Sequence, residues 1–200
     1  MDLNLTLDKY ISNLRKICYL ELRKIAQIRH YLTSETTIKL VCSFVLSRLD
    51  YCNSLLAGLP ECKINRLQQI QNNAARLVKR VKKREHITPI LKDLHWLPIH
   101  FRTHYKILSL TFQCMNTPDF PDYLKKFTET YTPSRQLRSS VKNILVKPRY
   151  KLETYGKRTF KFQSADLWNK LPEELKNTDT LASFKSNLKT YLFKTAFHNV

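Results

Sequence analysis

Basic side chains crowd residues 76–84, and their number favours contact with a polyanion. The segment carries six positive charges in nine residues and reaches its first acid only at Glu85. These cations are Arg76, Lys79, Arg80, Lys82, Lys83 and Arg84. A cation stabilises a helix C-terminus by only about 0.3–1 kcal/mol, and six neighbouring cations repel one another. A solvated helix end is therefore the weaker interpretation, and we expect contacts with nucleic-acid phosphates here.

A second basic cluster, in residues 142–161, is interleaved with aromatic side chains and opposed only by Glu153. Its candidate phosphate contacts are Lys147, Arg149, Lys151, Lys157 and Arg158, flanked by Lys142 and Lys161. The aromatic members are Tyr150, Tyr155, Phe160 and Phe162. Such rings can stack on bases while cations hold the phosphates. Alternation also buries one face of a strand without any ligand, so core packing is an equal alternative for the two phenylalanines.

Residues that could catalyse a reaction or bind a metal ion are not grouped in the sequence. Two-metal nucleotidyl transfer needs converging carboxylates, and this chain has no Asp-Asp pair. Its scattered aspartates are typical of caps and turns: Asp50, Asp93, Asp119, Asp122, Asp166 and Asp179. His100 and His104 share a helix face, but the CxxC pair usual in structural zinc sites is absent. With no GxSxG elbow either, we expect no catalytic residue, no metal and no cofactor.

Length and composition predict a folded chain with a polyanionic partner. The 200 residues are 42% hydrophobic and 11% aromatic, which is enough to bury a core. A total of 35 Lys+Arg against 16 Asp+Glu gives a net charge of +19 at pH 7. The two glycines exclude glycine-rich phosphate loops and the nucleotide enzymes that use them. Five cysteines without CxxC spacing favour reduced, packed thiols.

Apolar residues recur every three or four positions in five windows, which predicts five long helices. The windows lie near 5–31, 34–56, 60–82, 99–115 and 181–195. Alternation between 144 and 162 instead predicts one short β-hairpin with Gly156 at its turn. The polar stretch 129–141 is predicted to be a loop. Trp96 and Trp168 lie in apolar turn segments, where each ring is expected to close a helix end against the core.

Six segments, in order, resemble the C-terminal region of the reverse transcriptases of non-LTR (LINE-type) retrotransposons, of the jockey and chicken-repeat kind. They are SRLDYCNSLLAGLP at 47–60, RLQQIQNNAARL at 66–77, LHWLPI at 94–99, YTPSR at 131–135, LWNKLP at 167–172 and SFK at 183–185. Any one of them is weak evidence, but the ordered set is specific. The resemblance covers nearly the whole chain.

The periodicity and the alternation together predict a mainly α fold whose smaller C-terminal part is α+β and contains the short hairpin. The resemblance implies that the helical part is a thumb-like bundle followed by a C-terminal extension. The expected divisions are a thumb-like segment over 1–116, a linker over 117–141 and the extension over 142–200. It also implies a place downstream of the polymerase palm. The palm with its paired aspartates, the upstream endonuclease and the terminal Cys/His knuckle are missing here. No catalytic role therefore transfers to any residue, and the chain resembles a fragment.

The expected function is that of a non-catalytic nucleic-acid-binding segment of such a reverse transcriptase. Its partner would be RNA, DNA or both, as template–primer or element RNA, in a ribonucleoprotein of the nucleus, the cytoplasm or both. No signal peptide and no apolar run long enough to span a membrane is seen, so an intracellular protein without a membrane partner is expected. A structural or protein-interaction relic is the main alternative, and a residual polymerase or nuclease is a third.

Overall fold

The computed structural model describes residues 6–132 and 143–198, which are mainly helical. The helices are α1 (Asp8–Ile28), α2 (Ser34–Val41), α3 (Ser47–Asp50), α4 (Glu61–Lys79), α5 (Ile87–Asp93), α6 (Ile99–Asn116), α7 (Asp122–Lys125), α8 (Glu153–Gly156), α9 (Phe160–Asn169), α10 (Glu173–Lys176) and α11 (Leu181–His198). Short 3-10 turns occupy Arg29–Tyr31 and Asn53–Leu56, and a π-helical turn occupies Cys42–Leu46. The predicted helical class is confirmed, and each of the five long predicted helices has a counterpart. None of the helices in the described residues is long and apolar enough to cross a membrane.

Contacts divide the chain into two compact units whose bounds differ from those predicted from the sequence. Within the described residues, the first unit comprises 6–53, 59–102 and 196–198, and the second comprises 54–58, 103–132 and 143–195. The division into 1–116, 117–141 and 142–200 stays a prediction. Part of the predicted loop and linker, 133–141, lies outside the described residues.

In the first unit, α1 packs against α4 and against α2. The buried face of α1 is Ile11, Leu14, Cys18, Leu22 and Ile25, the three-to-four spacing that puts side chains on one stripe. The buried face of α4 includes Leu67, Ile70, Ala74 and Val78. Three contacts show that the two helices run in the same direction. Lys63 pairs with Asp8 near their starts, Asn73 donates to Tyr19 midway, and Arg29 reaches the last turn of α4.

A π-helical turn separates α2 from α3 and changes which side chains face the core. The N–H of Ser47 donates to the carbonyl of Cys42, five residues earlier, so the turn holds one extra residue. Val45 and Leu46 are consequently buried, whereas Phe44 is 46% exposed. Three-to-four spacing continued from Val41 would bury Phe44, but the inserted residue shifts the helical phase and leaves this ring at the surface.

The second unit is built on an aromatic core. Phe112 of α6 stacks on Phe184 of α11 with ring centroids 4.3 Å apart, and Trp168 of α9 lies 5.9 Å from the same ring. Gly58 also belongs to this unit and has a left-handed φ of 69°. A Cβ at Gly58 would lie 2.8 Å from Cγ of Arg158, so the close approach and the left-handed backbone together favour glycine.

The predicted hairpin over 144–162, and with it the α+β character of the C-terminal part, is wrong. The only β-pairing in the described residues is an isolated antiparallel bridge between Thr130 and Leu145. Thr159 instead caps α9, because its side-chain oxygen accepts from the N–H of Phe162 at 3.4 Å. Buried residues then follow at three-residue steps: Phe162, Ala165 and Trp168. The alternation was too short to outweigh this cap and this apolar helix face.

Burial divides the five free cysteines by expected reactivity. Desolvation raises the pKa of Cys18 and of Cys114 to about 11, whereas Cys52 and Cys62 are exposed. Because the thiolate is the nucleophile, we expect iodoacetamide at neutral pH to modify the two exposed thiols first. Cys18 and Cys114 should react only after denaturation. Mass spectrometry of alkylated peptides checks this order, and rapid labelling of either buried thiol in folded protein would contradict it.

Candidate nucleic-acid interface

The C-terminus of α4 is held by a backbone motif and by one buried arginine. Arg80 adopts a left-handed φ of 55°, and the N–H of Val81 donates to the carbonyl of Arg76 at 3.1 Å. This is the Schellman arrangement, here with arginine where glycine is usual. Arg29 is only 7% exposed and supplies further donors to the same helix end. Its Nε lies 3.1 Å from the carbonyl oxygen of Leu77.

The other nitrogens of Arg29 complete the clamp. Nη2 donates to the carbonyl of Val78 at 2.8 Å, and Nη1 donates to the carbonyl of Leu32, also at 2.8 Å. The last four carbonyls of a helix lack intrahelical partners, so Arg29 satisfies two of them in α4. Burial lowers the pKa of Arg29, and the neighbouring charge of Arg80 lowers it further. Arg29 therefore fixes the direction in which the chain leaves α4 towards the basic segment.

Within residues 76–84, half of the six cations are engaged by other parts of the first unit. Arg76 is half-buried and donates to the carbonyl of Glu85 at 3.2 Å. Lys79 forms an ion pair with Asp93, and this contact lowers the pKa of that carboxyl. Arg80 donates to the carbonyl of Arg29 at 3.1 Å.

The remaining three cations, Lys82, Lys83 and Arg84, form what we call the free basic turn. All three side chains are exposed, and they make no ion pair or side-chain hydrogen bond to the described residues. They lie in the irregular segment between α4 and α5, so no helix dipole accounts for three adjacent cations. The free basic turn is therefore the part of the predicted cluster that remains available to a ligand.

The second predicted cluster is brought only partly to the surface. Lys147 pairs with Asp166 at 2.6 Å, and its Nζ lies 4.7 Å from the ring centroid of Phe162. Lys157 and Arg158 are half-buried. Arg149 and Lys151 are exposed and form no ion pair with the described part of the chain. Of the two flanking cations, Lys161 pairs with Glu129 at 3.3 Å, and Lys142 lies outside the described residues.

The aromatic side chains of this cluster mostly pack inside the second unit. Phe162 is 7% exposed, with the ring of Tyr150 edge-on at 5.1 Å. Phe160 is half-buried and lies edge-on to Phe127 at 6.4 Å. Core packing is thus the correct alternative for Phe162. A row of rings open to bases does not form here, although Tyr150 and Tyr155 are about 40% exposed.

Four of the six scattered aspartates, Asp50, Asp93, Asp122 and Asp166, form ion pairs with basic side chains. Asp50 pairs with Arg102 at 2.6 Å, and Asp166 pairs with both Lys147 and Lys170. Hydrogen bonds from these two lysines lower the pKa of Asp166 against an opposing effect of burial. In residues 6–132 and 143–198, no three His, Cys, Asp or Glu side chains form a group that could hold a metal ion.

Two features of the first unit were not predicted from the sequence. Arg29 was not assigned a role, although it follows Ile25 by four residues and therefore continues the buried stripe of α1. A groove of about 470 Å³ lies in the first unit, between α1 and the α3 segment. The sequence does contain a signal for this groove. Several of its exposed apolar residues lie outside the buried stripes that three-to-four spacing predicts.

Known proteins supply no further assignment for these features. No protein-family model, no curated protein and no solved structure matches the chain. The likeness to LINE-type reverse transcriptases therefore depends on the six ordered sequence segments alone.

Proposed function

We propose that the chain is a non-catalytic nucleic-acid-binding segment of a LINE-type reverse transcriptase, gripping RNA or DNA mainly through phosphate contacts. The observation that carries the proposal is the free basic turn: Lys82, Lys83 and Arg84 are exposed and unopposed at the fixed end of α4. Phosphate contacts by Lys and Arg supply most of the affinity of sequence-independent binding. They orient a protein without reading bases, so no sequence preference is proposed.

The distribution of acids supports this choice. The chain has 16 acidic residues against 35 Lys+Arg, and several of the acids are consumed by internal pairs such as Asp93 with Lys79. Unpaired positive charge destabilises a compact chain by self-repulsion unless a polyanion offsets it. One observation supports the alternative, a structural or protein-interaction relic of a transposon. Lys147 and Lys161 each form an ion pair with an acid of this chain, so these two cations of the second cluster are not free to contact a ligand.

One titration separates these functions. The purified chain is mixed with labelled single-stranded RNA, single-stranded DNA and an RNA–DNA hybrid at several salt concentrations, with a primer-extension assay in parallel. The proposal predicts binding at low salt that weakens steeply as salt rises. Absence of binding at low salt would favour the relic. Extension that a metal chelator abolishes would show an enzyme and overturn the non-catalytic assignment.

We expect the free basic turn to account for much of the salt dependence of the binding affinity. Replacing Lys82, Lys83 and Arg84 together by Gln should flatten the slope of log K against log salt by up to about two to three units. Each lost phosphate contact removes about 0.7 for single strands or 0.9 for duplex DNA. Folding should change by about 0.5 kcal/mol or less, because the three side chains are at the surface.

A charge-matched control is the Gln replacement of Lys106, Lys126 and Lys189, which are exposed in the second unit. It changes the net charge equally but leaves the free basic turn intact. Equal losses in both triple variants would show that overall charge, rather than this turn, binds the strand. An unchanged slope in the free-basic-turn variant would place the phosphate contacts elsewhere, with Arg149 and Lys151 the next residues to replace.

A further inference from the structure

The groove in the first unit combines aromatic surface with free polar groups. It has a volume of about 470 Å³, within the range of small-ligand sites, and is lined by Tyr10, Asn13, Leu14, Ile17, Ser47, Arg48 and Tyr51. Tyr51 is 72% exposed, and Tyr10 and Ile17 are each more than a third exposed. The hydroxyl of Tyr10 donates to the carbonyl of Tyr51 at 3.4 Å, which ties the two walls together.

Two polar side chains in the groove have donors or acceptors that are not paired within the described residues. Asn13 is exposed, and its amide makes no hydrogen bond to the described residues. Arg48 donates through Nε to the carbonyl of Phe44 at 3.1 Å, which anchors the guanidinium. Its two terminal nitrogens have no acceptor in the part of the chain that the structure describes. The π-helical turn directly before Ser47 sets this arrangement, and such turns are frequent at functional sites.

The charge around the groove is positive. On α1, Lys9, Lys16 and Arg23 are exposed and recur every seven residues, so they share one helix face beside Asn13. None of the three forms an ion pair within the described residues. The nearest acids in sequence, Asp8, Glu21 and Asp50, are already paired with Lys63, Lys24 and Arg102. A neutral or cationic partner would gain nothing from this rim, whereas a phosphate chain would.

We propose that this groove seats an unpaired base of a single-stranded nucleic acid, stacked against Tyr51, while Lys9, Lys16 and Arg23 follow its phosphates. The inference rests on the proposed nucleic-acid function and gives it a strand type, because only an unpaired base exposes the face that stacks. The stripe runs along α1, which is parallel to α4, so it leads from the groove towards Arg29 and the free basic turn. From Asn13 to Arg29 the helix rises about 24 Å, at ~1.5 Å per residue. At ~3.4 Å each, about seven nucleotides cover that distance, so a strand of ten nucleotides is long enough.

The test compares strands that differ only in their bases. Fluorescein-labelled ten-nucleotide oligothymidylate and an abasic strand with the same number of phosphates are titrated with wild-type protein and with Tyr51→Ala. Wild-type protein should bind the thymidylate about tenfold more tightly than the abasic strand, as one stacked base contributes. Tyr51→Ala should remove this difference and leave the salt slope unchanged. Tyr123→Ala, which removes a 67%-exposed tyrosine of the second unit, should keep the difference.

A second variant reports stacking directly. In Tyr51→Trp the tenfold preference should persist, and thymidylate but not the abasic strand should quench the added indole emission. Equal affinity of wild-type protein for both strands, or equal losses on both in Tyr51→Ala, would overturn the base-seating inference while leaving phosphate binding in place. Binding of neither strand at low salt would instead defeat the proposed function itself. The inference would also be overturned if a helix of another protein, rather than either strand, bound in this groove.

Discussion

Replacing Trp168 by alanine should destabilise the second unit by roughly 3–5 kcal/mol, the usual cost of deleting a fully buried tryptophan ring. The side chain is 0% exposed and packs 5.9 Å from Phe184, whose own ring stacks on Phe112. Its indole N–H also donates to the carbonyl of Asn143 at 3.1 Å. The substitution therefore leaves a cavity in the aromatic core and an unpaired carbonyl beside it. Denaturant unfolding followed by circular dichroism measures the loss.

Trp168→Phe supplies the graded control for that experiment. Phenylalanine keeps an aromatic ring but cannot donate to Asn143, so its cost should lie well below that of alanine. Trp96→Ala tests the other predicted structural tryptophan, which is 6% exposed in the first unit and should also be strongly destabilising. If Trp168→Ala melted like wild type but lost affinity for RNA, the ring would have to stack on bases instead.

The burial of both tryptophans could be predicted from the apolar turn segments in which they lie. The chain ends α5 just before Trp96, where His95 takes a left-handed φ of 52° and the N–H of Trp96 donates to the carbonyl of Leu91. This closes the helix end against the core, as the apolar turn segment indicates. The long helices were equally accessible, since three-to-four spacing persists over many turns in each of them.

The structural features that could not be predicted depend on contacts that the spacing of residue types does not encode. The π-helical turn rotated Phe44 outwards, and no residue type marks such an insertion. Gln71 is 0% exposed because its side-chain amide donates to the carbonyl of Leu97, 26 positions away. In the predicted hairpin, local alternation competed with a Thr159 cap and a tertiary core at Trp168, and the longer-range packing prevailed.

For the candidate interface, the sequence shows how many basic side chains a segment contains, but not which of them are free to contact a ligand. Six cations in residues 76–84 were identified, yet only the folded chain distinguishes Lys79, paired with Asp93, from the unopposed Lys82 and Lys83. The same holds for Lys147, which pairs with Asp166, a residue 19 positions later. Charge density is thus predictable from sequence, while free charge is a property of the tertiary structure.

Arg29→Met should cost about 3 kcal/mol, the second large effect expected in this protein. Methionine keeps much of the apolar stem but leaves the carbonyls of Leu77 and Val78 without donors, and each unsatisfied buried carbonyl costs about 1–3 kcal/mol. Arg29→Lys should rescue little, because a single ammonium cannot reproduce the planar fork that reaches acceptors on two sides. Arg23→Met, an exposed change on α1 six residues before Arg29, should cost about 0.5 kcal/mol or less.

Binding measurements on Arg29→Met then distinguish a positioning residue from a phosphate contact. Arg29 is 7% exposed, so it cannot release counterions from a strand, and the salt slope should stay at its wild-type value at temperatures where the variant is folded. The affinity should nevertheless fall, because the end of α4 and the free basic turn lose their fixed direction. A slope reduced by about one unit would mean that Arg29 itself meets a phosphate. Unchanged stability would mean that the Schellman turn at Arg80 holds the helix end without it.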